Sequence, residues 1–376
     1  MTKPSISLSA VTKIAAPPER VEPLWWWGLR AFRREVLDFR FNYDVQSVDE
    51  PVAAGLDYHI RSDALFFDAM RLDEGGIPIH WSRTFQSYNP MYVAWYGLTS
   101  LQRWLRGGDA NGRERFLRQV DWLVANAQRR DDGLIVWPLT FDWTEGRCEL
   151  RAPWPSAMAQ GLSLSALVRA YRLGARKDIL PLCLEGTRLF EVPLEQGGVV
   201  TREHGHAIYE EYPGRPLPRI LDGYLFSLLG LYDVAEATGN ERVHALLQDG
   251  LDGLTHELPF WDYHGIWSWY GSHGYLCPPH YHILNTALLR ALGRLTERRI
   301  LVECARRWDV SHRTAMERAA IYTAFLATKN RSRLLFHARR RRAVRPRRAA
   351  MAPPRRARTL SRRASRGRLE FRPGAD

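Results

Sequence analysis

The sequence predicts a mainly α fold, an incomplete α/α toroid of about four helix pairs with inserted β-hairpins and a small N-terminal strand-rich region. Three observations predict it. Apolar residues recur at helical spacing from about residue 88 onward. Four of these segments start 62 to 66 residues apart, at Tyr88, Trp154, Arg219 and Tyr281. Each of the first three pairs runs into a turn-rich, aromatic link, over 131–143, 197–212 and 261–273.

The elements follow in order. Residues 1–40 form an extension with a Pro- and Ser-containing start and a Leu24-Trp25-Trp26-Trp27 run. Residues 41–87 alternate in short runs such as Asp57-Tyr58-His59-Ile60, broken by Gly55, Gly75, Gly76 and Pro78, which predicts short strands and turns. The toroid is expected over 88–328. In its first helix Val93, Gly97, Leu98 and Leu101 share a face, and in its second Met158, Gly161, Leu162 and Ser165 do. Leu225, Leu228, Leu229 and Tyr232 mark the third, and Ala287, Leu288, Ala291 and Leu292 the fourth. Small residues in these stripes let neighbouring helices approach closely. Partner helices are predicted over 113–127, 179–190, 240–258 and 297–308. From residue 329 the chain is rich in Arg, Pro, Ala and Ser, the composition of a disordered tail.

Charge separates along this division. The net charge is +13, but the 17 arginines from Asn330 onward make that tail +15 and leave the rest near −2. The basicity therefore belongs to the tail, and no nucleic-acid-binding motif accompanies it, so no nucleic-acid partner is expected. The four cysteines have no paired spacing, which argues against a disulfide framework or a structural zinc module. Residues 1–20 lack the apolar core of a signal peptide, and no stretch approaches the roughly 20 apolar residues of a membrane span. A cytoplasmic location is the expectation. The 14 tryptophans fill a core or form platforms for sugar rings. An arc of helix pairs with its long loops at one rim makes a cleft that suits an extended sugar chain.

The most specific stretch is Tyr209-Glu210-Glu211-Tyr212-Pro213, followed by Leu221-Asp222-Gly223-Tyr224 and Ser227-Leu228-Leu229-Gly230-Leu231-Tyr232-Asp233. It resembles the signature of the D-glucuronyl C5-epimerase family, an EEYP segment before an "LNGF…SLLGLYD" helix. Three further blocks are similar to the family in the same order: Tyr96-Gly97-Leu98, Met158-Ala159-Gln160-Gly161 and Tyr281-His282. The resemblance covers about residues 75 to 328. It implies inversion at C5 of a glucuronate residue within a heparan-type glycosaminoglycan, giving iduronate, without a cofactor. That chemistry needs an acid/base group on each face of the ring and a donor for the charge that builds on the carboxylate.

Carried over by position, the resemblance assigns proton transfer to Glu211 and Tyr212 on one face and to Tyr270 or Tyr281 on the other. Where the family has an arginine three residues after the second tyrosine, this chain has His273. An imidazole is charged only conditionally at neutral pH and lacks the guanidinium fork. The expected substrate contacts are His273, His282, Trp154, Tyr88 and Trp269. Trp81, Trp137, Trp143 and Trp267 are also expected at the cleft rim. His204-x-His206 and His280-x-His282 have the spacing that puts two side chains on one face of a strand. No ordered carboxylate or cysteine set completes either pair, so no metal is expected. The implied partner is a uronic-acid polysaccharide, with a homodimer left open. Two alternatives share the reading. A polysaccharide lyase begins with the same proton abstraction, and a glycan-binding protein keeps the fold without the reaction.

Overall fold

Three of the long helices begin where the sequence supplies a side-chain cap. Asn89 accepts from the Met91 N–H at 3.0 Å, and Pro90 fills the first turn, where a missing N–H costs nothing. Ser156 caps its helix through the Ala159 N–H, and Asn240 through the Val243 N–H. The computed structural model describes residues 45–62, 70–81 and 85–344. The expected N-terminal extension over 1–40 lies outside the described residues, as does the tail from residue 345.

The described chain is mainly helical, with small antiparallel strand pairs. β1 (Val45–Ser47) pairs with β2 (Ile60–Ser62), and β3 (Arg71–Leu72), β4 (Pro78–Trp81) and β5 (Gln86–Tyr88) form a three-stranded sheet. Then come α1 (Pro90–Leu105) and α2 (Gly112–Ala125), followed by the hairpins β6–β7 (Gln128–Arg129, Ile135–Val136) and β8–β9 (Trp143–Glu145, Cys148–Leu150). The second pair is α3 (Ala157–Arg172) and α4 (Leu180–Gly186), with hairpin β10–β11 (Val200–Glu203, His206–Tyr209). The third is α5 (Leu221–Thr238) and α6 (Glu241–Trp261), with β12–β13 (Asp262–Tyr263, Trp267–Ser268). α7 (Pro279–Leu295), α8 (Arg299–Trp308) and α9 (Ala315–Val344) complete the described helices.

One row is formed by α1, α3, α5 and α7, each packed on the next; α2, α4, α6 and α8 back them one by one. The first row is buried almost all round, as in α5, where Leu225, Phe226, Leu228, Leu229 and Leu231 have no exposure. The predicted close approach is realised between α3 and α5. A Cβ on Gly161 would meet the Phe226 carbonyl oxygen at 2.5 Å, and one on Gly230 would meet the Gly161 oxygen at 2.4 Å.

A buried ionic knot ties the N-terminal strands to this row. Arg169 of α3 donates to Asp233 of α5 at 2.6 Å, and both side chains have no exposure. His59 Nε2 lies 2.8 Å from the other Asp233 oxygen, and the Arg169 guanidinium sits 4.7 Å from the Tyr58 ring centre. Burial pushes the Asp233 carboxyl up, but Arg169 and His59 outweigh that and hold it well below the usual carboxylate range. The last residue of the LLGLYD motif is therefore a structural anion.

A second, smaller core contains Trp267, Leu276, Ile321 and Phe325, so α9 packs on the segment after β13. The compact unit containing these elements ends at Arg333. α9 runs through Val344, past residue 329 where the tail is expected to begin. Arg, Leu and Ala are good helix formers, and no proline falls between residues 315 and 344.

Candidate active site

β11 ends at Tyr209, and the next residues, Glu210-Glu211-Tyr212, cross the N-terminal end of α5. Glu210 is buried facing the hairpin. It accepts from Thr201 Oγ1 at 2.7 Å and lies 3.5 Å from Arg219, and its burial lifts the carboxyl to about 7. Glu211 turns the opposite way, as alternation along an extended chain requires. It is 5% exposed, and its Oε2 has no hydrogen-bond partner. Only a glycine at 223 allows this placement, because a Cβ there would sit 2.4 Å from both Glu211 Cβ and Oε2.

Around Glu211 the structure gathers phenols and carboxyls. Tyr212 is half-buried, with its ring 5.9 Å from Trp154. Tyr270 lies 5.6 Å from Tyr281, ring centre to ring centre, and 5.5 Å from Tyr275. Burial pushes the Glu211 carboxyl well up, with Asp222 and Glu145 adding to it, while a side-chain hydrogen bond with Tyr212 works against the rise. Tyr212, Tyr270 and Tyr281 are all held far above an ordinary phenol, first by burial and then by neighbouring carboxyls and one another. Asp222, in the first turn of α5, is lifted by burial to about 7, although its own and the Gly223 backbone N–H groups pull the other way. The site therefore holds neutral phenols at neutral pH, together with two carboxyls reluctant to ionise.

His273 reaches the same cluster. Its Nδ1 is 3.0 Å from the Tyr270 carbonyl oxygen, its ring 4.9 Å from Tyr270, and its Nε2 3.0 Å from Glu145 Oε1. The Glu145 contact is an ion-pair approach too bent for a hydrogen bond. The loop carrying Tyr270 and His273 is seated by close backbone packing. Ser272 N–H donates to Pro218 O at 2.7 Å, and Gly271, at φ +50°, lies where a Cβ would meet that same oxygen at 2.1 Å. From the C-terminal side, Thr328 Oγ1 accepts from Leu276 N–H, and Ser332 donates to His273 O.

The structure thus brings together Glu211, Tyr212, Tyr270, Tyr281 and His273, and leaves four of the expected substrate contacts elsewhere. His282 has no exposure. Its Nδ1 lies 2.8 Å from Ser268 Oγ, its Nε2 lies 3.0 Å from Trp308 O, and its ring stacks on Trp267 at 3.6 Å. Burial holds the imidazole down to about 3, so it is a neutral core residue. Trp154 is 4% exposed and donates to Phe141 O, which makes it the support under Tyr212 and not an open platform. Tyr88 donates to Asp73 and packs on Trp122 of α2. Trp269 turns toward the α9 core, against Tyr263, one residue out of phase with Tyr270. Of the other tryptophans expected at the rim, Trp137 and Trp267 are also buried.

Four residues that the sequence reading passed over join the cluster. Asp222 stood inside a quoted motif, and its place in the first turn of α5 was a usable signal. Tyr92 of α1 is raised by burial and by Glu211. Glu145, at the end of β8, has no local pattern to mark it. His80 sits among Tyr92, Phe85, Phe141 and Trp143, with a buried Nδ1 that has no partner.

Phenols and carboxyls drawn from two walls of a helical body have the constitution of an acid–base centre, the equipment of an isomerase. Residues 130–310 match the family described as D-glucuronyl C5-epimerase C-terminus. A D-glucuronyl C5-epimerase of Caenorhabditis elegans is 30% identical over 212 residues, which cover 51% of this chain and 34% of the relative. The chain thus matches about a third of that relative's length. Among the described residues, no helix is long and apolar enough to cross a membrane.

Proposed function

We propose that this protein inverts C5 of D-glucuronate residues within a polysaccharide, giving L-iduronate, by removing the C5 proton on one face and returning one on the other. The observation that carries the reading is the meeting of Glu211 and Tyr212, from the end of β11, with Tyr270 and Tyr281, from the β13–α7 segment. Two proton-handling groups from separate walls can flank one ring. In this reading the four helix pairs form an incomplete α/α toroid, and the sugar chain lies across its rim.

Tyr212, backed by Glu211, serves one face; Tyr270 or Tyr281 serves the other. Because inversion runs in both directions, the group that abstracts in one direction returns the proton in the other. A phenol held neutral is ready as the acid. The base requires an acceptor behind it, and Glu211 is that acceptor once ionised. The charge that grows on the sugar carboxylate is met by His273 and by the neutral form of Asp222, both able to donate a hydrogen bond. No cofactor enters the scheme.

The test is incubation with heparosan-type and other glucuronate polymers in deuterated water, reading hydrogen exchange at C5 by NMR. Exchange in intact chains, lowered about 10²- to 10⁴-fold in Tyr212→Phe and Glu211→Gln, is the expected result. An unsaturated, ultraviolet-absorbing product would assign a lyase. No exchange with any polymer tested would remove the catalytic reading for those substrates.

A further inference from the structure

The sequence pairs His204 with His206, but the fold gives His204 different companions. The β10–β11 hairpin turns through His204 and Gly205, and its tip lies against α6 beside His256 and Glu257. His204 Nδ1 is 2.8 Å from Glu257 Oε1, and His256 Nδ1 is 3.1 Å from the same oxygen. The ligand atoms of all three residues lie within 4.8 Å of one another, and the two imidazole centres are 4.5 Å apart. Two histidines thus converge on one carboxylate at the surface, away from the phenol cluster. The carboxylate that the sequence spacing failed to supply comes from α6.

We propose that His204, His256 and Glu257 form a surface site for a divalent transition-metal ion of the zinc class. Zinc binds imidazole nitrogen and carboxylate oxygen at about 2.0–2.2 Å in tetrahedral array, which sets neighbouring ligand atoms roughly 3.3 Å apart. The observed histidine–carboxylate contacts of 2.8 and 3.1 Å need a slight opening, and the two imidazole nitrogens, within 4.8 Å of one another, close to that spacing by side-chain rotation at the surface. Imidazole donors select zinc, copper or nickel over calcium and magnesium. The fourth position falls to water or to His206, whose ring is 6.0 Å from that of His256. Of the nearby cations, Arg202 is paired with Asp249 at 3.1 Å and donates to Gly205 O, and Arg219 is paired with Glu203. A bound ion would fasten the hairpin tip to α6 and so brace the strand that leads into Glu210, Glu211 and Tyr212.

The turn provides a clean variant. His204 and Gly205 have φ +49° and +89°, the two positive values of a type I′ turn, where asparagine is at home. His204→Asn therefore removes the imidazole and keeps the hairpin, and His256→Ala changes an exposed helix position. Zn²⁺ is titrated calorimetrically into the full chain, and Co²⁺ is read by its visible absorption. The wild type is expected to bind one ion at this site and to gain thermal stability from it. Each single variant should bind at least about tenfold more weakly, and the double variant should show no Zn²⁺-dependent rise in Tm. Equal unfolding temperatures of the metal-free proteins exclude misfolding as the cause. Unchanged Zn²⁺ uptake in the double variant, or no uptake by the wild type, overturns the proposal.

Discussion

Replacing Asp233 with alanine leaves the Arg169 guanidinium buried without its anion. Both side chains have no exposure and their contact is 2.6 Å, so water cannot take the place of the lost carboxylate. Breaking a buried pair by removing one partner costs about 3–5 kcal/mol, mostly the penalty of the stranded charge. At about 2 °C per kcal/mol for a body of this size, Tm should fall by about 6–10 °C. Asp142→Ala supplies the control. Arg151 meets Asp142 at the same 2.6 Å, but with side chains 77% and 56% exposed, and its loss should leave Tm unchanged. The double variant Arg169→Met/Asp233→Leu removes both charges and should recover most of the loss. Thermal and urea unfolding followed by circular dichroism read all of these. If Asp233→Ala is no less stable than Asp142→Ala, or if the double variant is as unstable as the single, the knot is not a charge pair of the kind argued.

Three other perturbations test the site. Glu210 has its carboxyl raised to about 7 in the fold, so the folded state holds a proton that the unfolded chain releases near the ordinary carboxylate value. Stability should therefore fall as pH rises through that window, by roughly 3 kcal/mol, and Glu210→Gln should flatten this slope in urea titrations. Asp222 pushes Glu211 upward, so Asp222→Asn should let Glu211 ionise at lower pH. The acid limb of C5 exchange then moves to lower pH; a limb that stays or moves up contradicts the role given to Glu211. Gly223→Ala puts a methyl group 2.4 Å from Glu211 Oε2, and should lower exchange at least about tenfold by displacing that carboxyl while the helical circular dichroism is retained.

The helices were legible because their periodicity is a local property. The expected partner helix over 240–258 and the observed Glu241–Trp261 differ by one residue at the start, where Asn240 is the cap, and by three at the end, where α6 runs on past Leu258 through Pro259. Glu211 and Tyr212 were legible through motif resemblance, and alternation along the chain turns only one of the two glutamates toward the cluster. His282 shows the limit. At the start of α7 it has the look of a site residue, but the groups that claim its ring, Ser268 and Trp308, come from β13 and α8. Trp154 is likewise covered by residues distant in sequence, Phe141 and Tyr212. Asp222 acquires its character from the burial around it and from Glu145 beside it, which no spacing records.

The seating of the Tyr270 loop on α9 separates two boundaries that are easily equated. The match to the family model ends at residue 310, whereas the hydrogen bonds of Thr328 and Ser332 that hold the 270–276 segment come from beyond it. A protein cut at residue 310 would retain every motif residue and lose the rear support of the loop that carries Tyr270 and His273. The smallest piece of this chain worth expressing for activity therefore extends at least to Ser332, and a shorter piece that folds but fails would say nothing against the motif residues themselves.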